Sequence, residues 1–197
     1  STSGVVALYV SPTRALLNAL KRRADELFQG LGVTSFAWHS DIPESAKGRF
    51  IAEPSHILFT TPESIQAFLL NHRLHEVLTR NPPKYFVVDE VHAIVGDDRG
   101  GQALALAARL SRLVGLDLQR IGLSATLANP DALLGWFSIG SGRQQVVISV
   151  PGERGAEIEV LGPFADRDDL EATAAETARR RKTLFFVGSR KDAEGIG

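Results

Sequence analysis

Short apolar runs alternate along the chain with longer stretches in which apolar residues recur every third or fourth position. The runs are VVALYV (Val5–Val10), HILFT (His56–Thr60), YFVVD (Tyr85–Asp89), RIGLS (Arg120–Ser124), QVVISV (Gln145–Val150) and TLFFV (Thr183–Val187), each the length of a strand. Between them, Arg14–Gln29 sets Leu16, Leu17, Leu20, Ala24, Leu27 and Phe28 on one stripe, and Arg99–Val114 repeats the pattern with Leu104, Ala108 and Leu110. This alternation predicts an α/β fold with a parallel sheet. The earlier runs are apolar throughout, so helices are expected on both faces.

The texture changes after Val150, where PGERGAEIEVLGPFADRDD carries Pro, Gly and scattered charge without a helical stripe. A polar, Ala-rich helix from Asp168 to about Lys182 follows, and TLFFVGSRKDAE then reads as a strand turning into a helix. The expected organisation is a first domain over residues 1–145, a linker over 146–168, and over 169–197 the opening of a second α/β unit too short to stand alone.

Composition narrows the class. Of 197 residues, 44% are hydrophobic and 23% charged, as in an ordinary globular protein. No apolar run approaches the roughly 20 residues of a membrane helix, and the amino end lacks a secretion signal, so the cytoplasm is the expected compartment. The absence of cysteine excludes disulfides and thiolate metal sites. A net charge of −1 gives no global attraction to nucleic acid, and the basic runs Lys21–Arg23 and Arg179–Lys182 read as solvated helix faces.

Ligands of parallel α/β sheets bind at the carboxyl ends of strands. Asp89 and Glu90 occupy such an end: the aspartate suits a magnesium ion held through water, and the glutamate, turned the other way, suits proton abstraction from water. GLSATL places Ser124 and Thr126 at the end of a possible neighbouring strand, within hydroxyl reach of the acidic pair. Upstream, VSPTRAL puts Ser11, Pro12, Thr13 and Arg14 at a strand-to-helix turn, where free N–H groups, a hydroxyl and a guanidinium suit a phosphate oxygen. FTTPES repeats the arrangement with Thr60, Thr61 and Pro62. Each turn also reads as a helix cap, and two of them on one edge suit successive backbone phosphates of a strand.

PTRAL, TTPES, VVDEVH and GLSAT, in this order, resemble motifs Ia, Ib, II and III of the superfamily 2 DExH-box helicases. The longer stretches DEVHAIVGDDRGGQALALAARL and QRIGLSATLANPDALLGWF are similar to the Ski2-like and large helicase-related (Lhr) groups, and TLFFVGSRKDAE resembles motif IV. The resemblance implies a RecA-like three-layer sandwich of the P-loop NTPase type and an ATP-dependent helicase or translocase using ATP and Mg2+. It implies that Asp89 helps bind Mg–ATP and Glu90 orients the hydrolytic water. It further implies that His92, Ser124 and Thr126 couple nucleotide state to nucleic acid, and that Pro12, Thr13, Arg14, Thr61 and Pro62 lie along a single-stranded or partly duplex nucleic acid, DNA ahead of RNA. Nothing is carried over to His39–Ser40–Asp41, where related proteins have a glycine, and His56, His72 and His75 match no family site.

The phosphate-binding loop ending in Gly–Lys–Ser/Thr is not found in the sequence. The resemblance places it before Ser1, and motifs V and VI after Gly197, so a longer chain or a partner subunit is expected to supply them and this stretch alone is expected to be inactive. A binding or regulatory module that keeps the fold without catalysis is the alternative.

Overall fold

The computed structural model describes residues 4–68, 70–95, 98–125, 129–149, 162–179 and 183. In chain order the elements are β1 (Ala7–Val10), α1 (Arg14–Leu27), β2 (Ser35–Trp38), α2 (Glu44–Ala52), β3 (Ile57–Thr60), α3 (Pro62–Phe68), α4 (His72–Arg80), β4 (Tyr85–Val88), a 3-10 turn (Val91–Ala93), α5 (Asp98–Val114), β5 (Gln119–Gly122), α6 (Pro130–Phe137) and α7 (Arg167–Ala178). The chain divides into two compact units, Ser1–Ser149 and Val150–Gly197.

The first unit is built on a five-stranded sheet of order β2-β3-β1-β4-β5, and every pairing in it is parallel. Side chains alternate between the faces of each strand, and both faces are covered. Leu8, Val10, Trp38, Leu58, Phe86 and Val88 point to one face and pack with Phe50 of α2, Leu74, Val77 and Leu78 of α4, Ala103, Leu106, Ala107 and Leu110 of α5, and Phe137 of α6. On the other face Ala37 and Phe59, with Tyr9 and Ile57 beside them, lie under Leu17, Leu20 and Ala24 of α1. The result is the three-layer α/β arrangement expected from the strand–helix alternation.

Three expectations about the strands change. β2 replaces no predicted element: SFAW is a strand because Ala37 faces one layer while Trp38 joins the other, where its ring meets Phe50 edge-on at 5.7 Å. QVVISV is not a strand over its described part, Gln145–Ser149, which has no sheet partner. Its β-branched residues stand in solvent, Ile148 at 87% exposure, and β-propensity without a neighbouring strand to pack on forms no ladder. The four predicted strands that do form are each four residues long, shorter than the apolar runs that announce them.

In the second unit α7 starts one residue before the predicted Asp168, with Asp166 accepting the Asp169 N–H as its cap, and it buries no side chain. The predicted strand Thr183–Val187 lies outside the described residues apart from Thr183.

Candidate active site

Because the strands are parallel and in register, their carboxyl ends form one rim. Val10 stands opposite Thr60 and Val88, Trp38 opposite Thr60, and Val88 opposite Gly122. The chain leaves β1 toward β2 on one side and leaves β4 toward β5 on the other, so the adjacent ends of β1 and β4 flank the point where the connections diverge. A crevice at such a point is where open α/β sheets bind ligands. Ser11 and Asp89 are the next residues on those two strands, and the Asp89 N–H still donates to the Val10 carbonyl at 2.9 Å.

Immediately after Asp89 the backbone turns. Glu90 has φ 49° and ψ 44°, and it is the non-glycine residue with positive φ among the described residues. The left-handed conformation costs a β-carbon residue about 1 kcal/mol or more, and the turn offsets it with bonds: the Glu90 N–H donates to Asp89 Oδ1 at 3.0 Å, and the Ala93 N–H to the Glu90 carbonyl at 2.8 Å. Glu90 Oε2 is shielded from solvent and accepts no hydrogen bond. It lies 3.3 Å from His92 Nδ1, but that nitrogen is closer to Ser124 Oγ, at 2.7 Å.

β5 is stitched to this turn. The Leu123 N–H donates to the Val88 carbonyl and the Val91 N–H to the Leu123 carbonyl, both at 2.9 Å. Gly122 gives Val91 its place, since a β-carbon there would be 3.3 Å from Val91 Cγ1. Gly100, in the first turn of α5, does the same for the far end of the turn, where any β-carbon would collide with the Ile94 carbonyl oxygen. Asp89, Glu90, His92 and Ser124 are therefore brought together; Thr126 lies outside the described residues.

The β1–β3 half of the rim holds the remaining predicted residues, in two different settings. Pro12 is half-buried, while Thr13 and Arg14 are exposed. Thr13 caps α1, its Oγ1 accepting the Leu16 N–H at 3.3 Å. Arg14 Nη1 donates to both oxygens of Asp41, at 2.9 and 3.0 Å. Ser40 and Arg14, in that order, hold the Asp41 carboxyl below its ordinary range. Thr61 and Pro62 are buried. The Thr61 hydroxyl is engaged with Ser64 Oγ at 3.1 Å, as a cap of α3, so it presents less to the surface than Arg14 does.

Sequence reasoning missed Asp41, whose partner Arg14 lies 27 positions away. His56 is structural: its Nδ1 accepts the Thr34 N–H at 3.1 Å. Among the described residues no three His, Asp or Glu side chains cluster as metal ligands. Asp89 thus offers a single carboxylate, which fits a magnesium ion that keeps most of its waters and takes other oxygens from phosphate.

Residues 1–133 match the model of the DEAD/DEAH box helicase family. The chain belongs to that family. It is 30% identical to the ATP-dependent helicase Lhr-Core protein 2 of Thermococcus barophilus over 98% of this chain and 25% of the relative. It is 32% identical to the ATP-dependent helicase Lhr-Core of Methanocaldococcus jannaschii over the same shares, 98% and 25%. Among solved structures it resembles the Mycobacterium smegmatis helicase Lhr bound to ssDNA and AMP-PNP, with a TM-score of 0.81 and 27% identity, covering 100% of this chain and 28% of that one. The chain thus spans about a quarter of the length of the curated relatives it matches. The DEAD/DEAH box match runs through β1–β5 and takes in the acidic turn and Ser124, and the sheet is RecA-like.

Proposed function

We propose that this chain is the rim-bearing part of an ATP-dependent nucleic-acid motor, a helicase or translocase acting on single-stranded or partly duplex nucleic acid, DNA ahead of RNA. The observation that carries the reading is the convergence of Asp89, Glu90, His92 and Ser124 on adjacent strand ends, joined by the 2.7 Å contact between His92 and Ser124. Asp89 is the carboxylate for a magnesium-bound nucleotide. When bound, that nucleotide supplies the phosphoryl group whose transfer to water drives the motor. Glu90 takes the proton from the attacking water, the role of a general base. His92, Ser124 and Thr126 relay the state of that half of the rim to the other half.

Pro12, Thr13, Arg14, Thr61 and Pro62 form the nucleic-acid side. Arg14 and Thr13 make the phosphate contacts, while the buried Thr61 and Pro62 shape the α3 turn beside them. The M. smegmatis relative was solved with ssDNA bound, which supports DNA as substrate. The phosphate-cradling loop and the arginines that close the site come from the remainder of the motor or a partner subunit, and this stretch alone is inactive. The motor works in the cytoplasm, where its nucleotide and nucleic acid are found. A non-catalytic module is not favoured, because the matched relatives are ATP-dependent helicases.

The test is Glu90→Gln in the full-length protein. Nucleotide binding should persist while nucleic-acid-stimulated ATP hydrolysis falls by at least about a hundredfold, the usual weight of a general base. Hydrolysis at the wild-type rate would remove Glu90 from the chemistry and the reading with it.

A further inference from the structure

We infer that the Ser11 hydroxyl is a positioning group that couples the two halves of the rim, by bonding to the Asp89 carboxylate only when nucleotide and nucleic acid are both bound; the inference rests on the function proposed above. Ser11 follows β1, the strand that β3 and β4 flank. On one side its N–H donates to the Thr60 carbonyl at 3.0 Å, and on the other the Asp89 N–H donates to the Val10 carbonyl at 2.9 Å. Both ladders therefore run on past Val10, with Thr61 next along β3 and Asp89 next along β4. Val10 and Val88 pack on one face of the sheet, so Ser11 and Asp89, one residue later in each strand, turn to the opposite face as direct neighbours. Neighbouring strands lie about 4.8 Å apart. Ser11 thus stands between the carboxylate proposed for the nucleotide and the Thr61 turn proposed for the nucleic acid, and it leads directly into Pro12, Thr13 and Arg14.

Its side chain does not fit a purely structural place. Ser11 is fully buried, and its Oγ has no hydrogen-bond partner among the described residues. Such a hydroxyl is uncommon, because it has given up water and gained nothing in return. Alanine would fill the position without that cost. The Thr60 hydroxyl, equally buried one register position away, donates to the Trp38 carbonyl at 3.0 Å, so the rim does supply acceptors to a hydroxyl that serves only the fold. Burial also removes Ser11 from direct contact with a phosphate. A donor held unbonded beside a carboxylate favours an arrangement in which the two meet, since a bond to a charged acceptor is among the stronger ones. Made in one state and absent in the other, that bond shifts the balance between them and links the two ligands.

The experiment uses the full-length protein and fluorescence anisotropy of a labelled single-stranded DNA, with and without a saturating non-hydrolysable ATP analogue and Mg2+, in wild type, Ser11→Ala, Asp89→Asn and the double variant. The ratio of the two DNA affinities measures the coupling, and about fivefold or more is ordinary for linked sites. Ser11→Ala should bring that ratio close to one, while DNA affinity without the analogue stays at the wild-type value and the melting temperature is unchanged or higher. In the Asp89→Asn background the same change should alter the ratio no further. A wild-type ratio in Ser11→Ala, a further fall in the double variant, or a lower melting temperature with weaker DNA binding in the absence of analogue would each overturn the inference. If the ratio in the wild-type protein were itself one, the proposed motor would fail first, and the role of Ser11 with it.

Discussion

His92 Nδ1 and Ser124 Oγ are 2.7 Å apart although they are 32 positions apart in the chain. The contact exists because β4 and β5 are neighbours in register and because the Val91 N–H, one residue before His92, is bound to the carbonyl of Leu123, one residue before Ser124. Removing the hydroxyl should therefore disturb communication across the rim more than it disturbs the fold. In full-length Ser124→Ala, hydrolysis without nucleic acid should stay close to wild type. Stimulation by nucleic acid should fall by about fivefold or more, the equivalent of a lost hydrogen bond of about 1 kcal/mol. Steady-state ATPase rates with and without single-stranded DNA check this; equal stimulation in the two proteins would show that the bond transmits nothing.

Arg14 is committed to Asp41 in the structure, so in the proposed nucleic-acid contact a phosphate competes with a carboxylate for the same guanidinium. Asp41→Asn in the full-length protein should tighten single-strand binding. Arg14→Ala should weaken it and, with one phosphate fewer neutralised, reduce the salt slope of log K by about 0.7. The folded Asp41 carboxyl titrates below its ordinary value of 3.8, so the ion pair is complete above that value and disappears as pH falls through the lower, folded value. The Asp41→Asn effect should accordingly be constant from neutral to mildly acidic pH. Fluorescence anisotropy across a salt series measures both variants.

Two adjacent glycines at the start of α5 should respond in opposite senses. An alanine at position 100 would press on the Ile94 carbonyl and stand 3.0 Å from Trp136 Cζ2, while position 101 has nothing within 4 Å. Gly100→Ala should destabilise by about 1–3 kcal/mol, as overpacking does, and displace the turn that carries Glu90 and His92. Gly101→Ala should be neutral or stabilise by up to about 1 kcal/mol through helix propensity. Chemical denaturation of the two variants decides, and a Gly100→Ala as stable as Gly101→Ala would contradict the close approach.

Asp25 joins α1 to β2, accepting from Lys21 Nζ at 2.6 Å and from the Ser35 hydroxyl. Burial acts to raise its pKa, but the bonds from Lys21 and Ser35, with the Lys21 charge, prevail and leave it below the ordinary value of 3.8. A carboxyl depressed by folding stabilises above its unfolded pKa and loses that contribution as pH falls through the folded one. Asp25→Asn should cost about 0.5 kcal/mol at neutral pH, the scale of a surface pair, and the difference should vanish in strong acid. Thermal melts over a pH series read the effect directly.

How far the site could be read in advance depended on which physics was involved. Asp89, Glu90 and Ser124 were legible because a parallel sheet puts the last residue of every apolar run on one rim, whatever else the chain does. The strand SFAW was hidden because its four residues show neither a long apolar run nor alternation, and only the two layers packing on Ala37 and Trp38 make it a strand. QVVISV misled for the converse reason, having the side chains of a strand and no neighbour. The hydroxyl of Thr61 looks identical in sequence whether it faces a phosphate or its own helix; burial and Ser64 give it the second setting here.

The left-handed backbone at Glu90 also bears on engineering this domain. Asparagine and glycine tolerate that conformation better than glutamate does, so a thermostabilisation campaign scored on melting temperature alone will be drawn to position 90, and with Glu90 in its proposed role it would select against turnover as it succeeds. Library design should hold that position fixed.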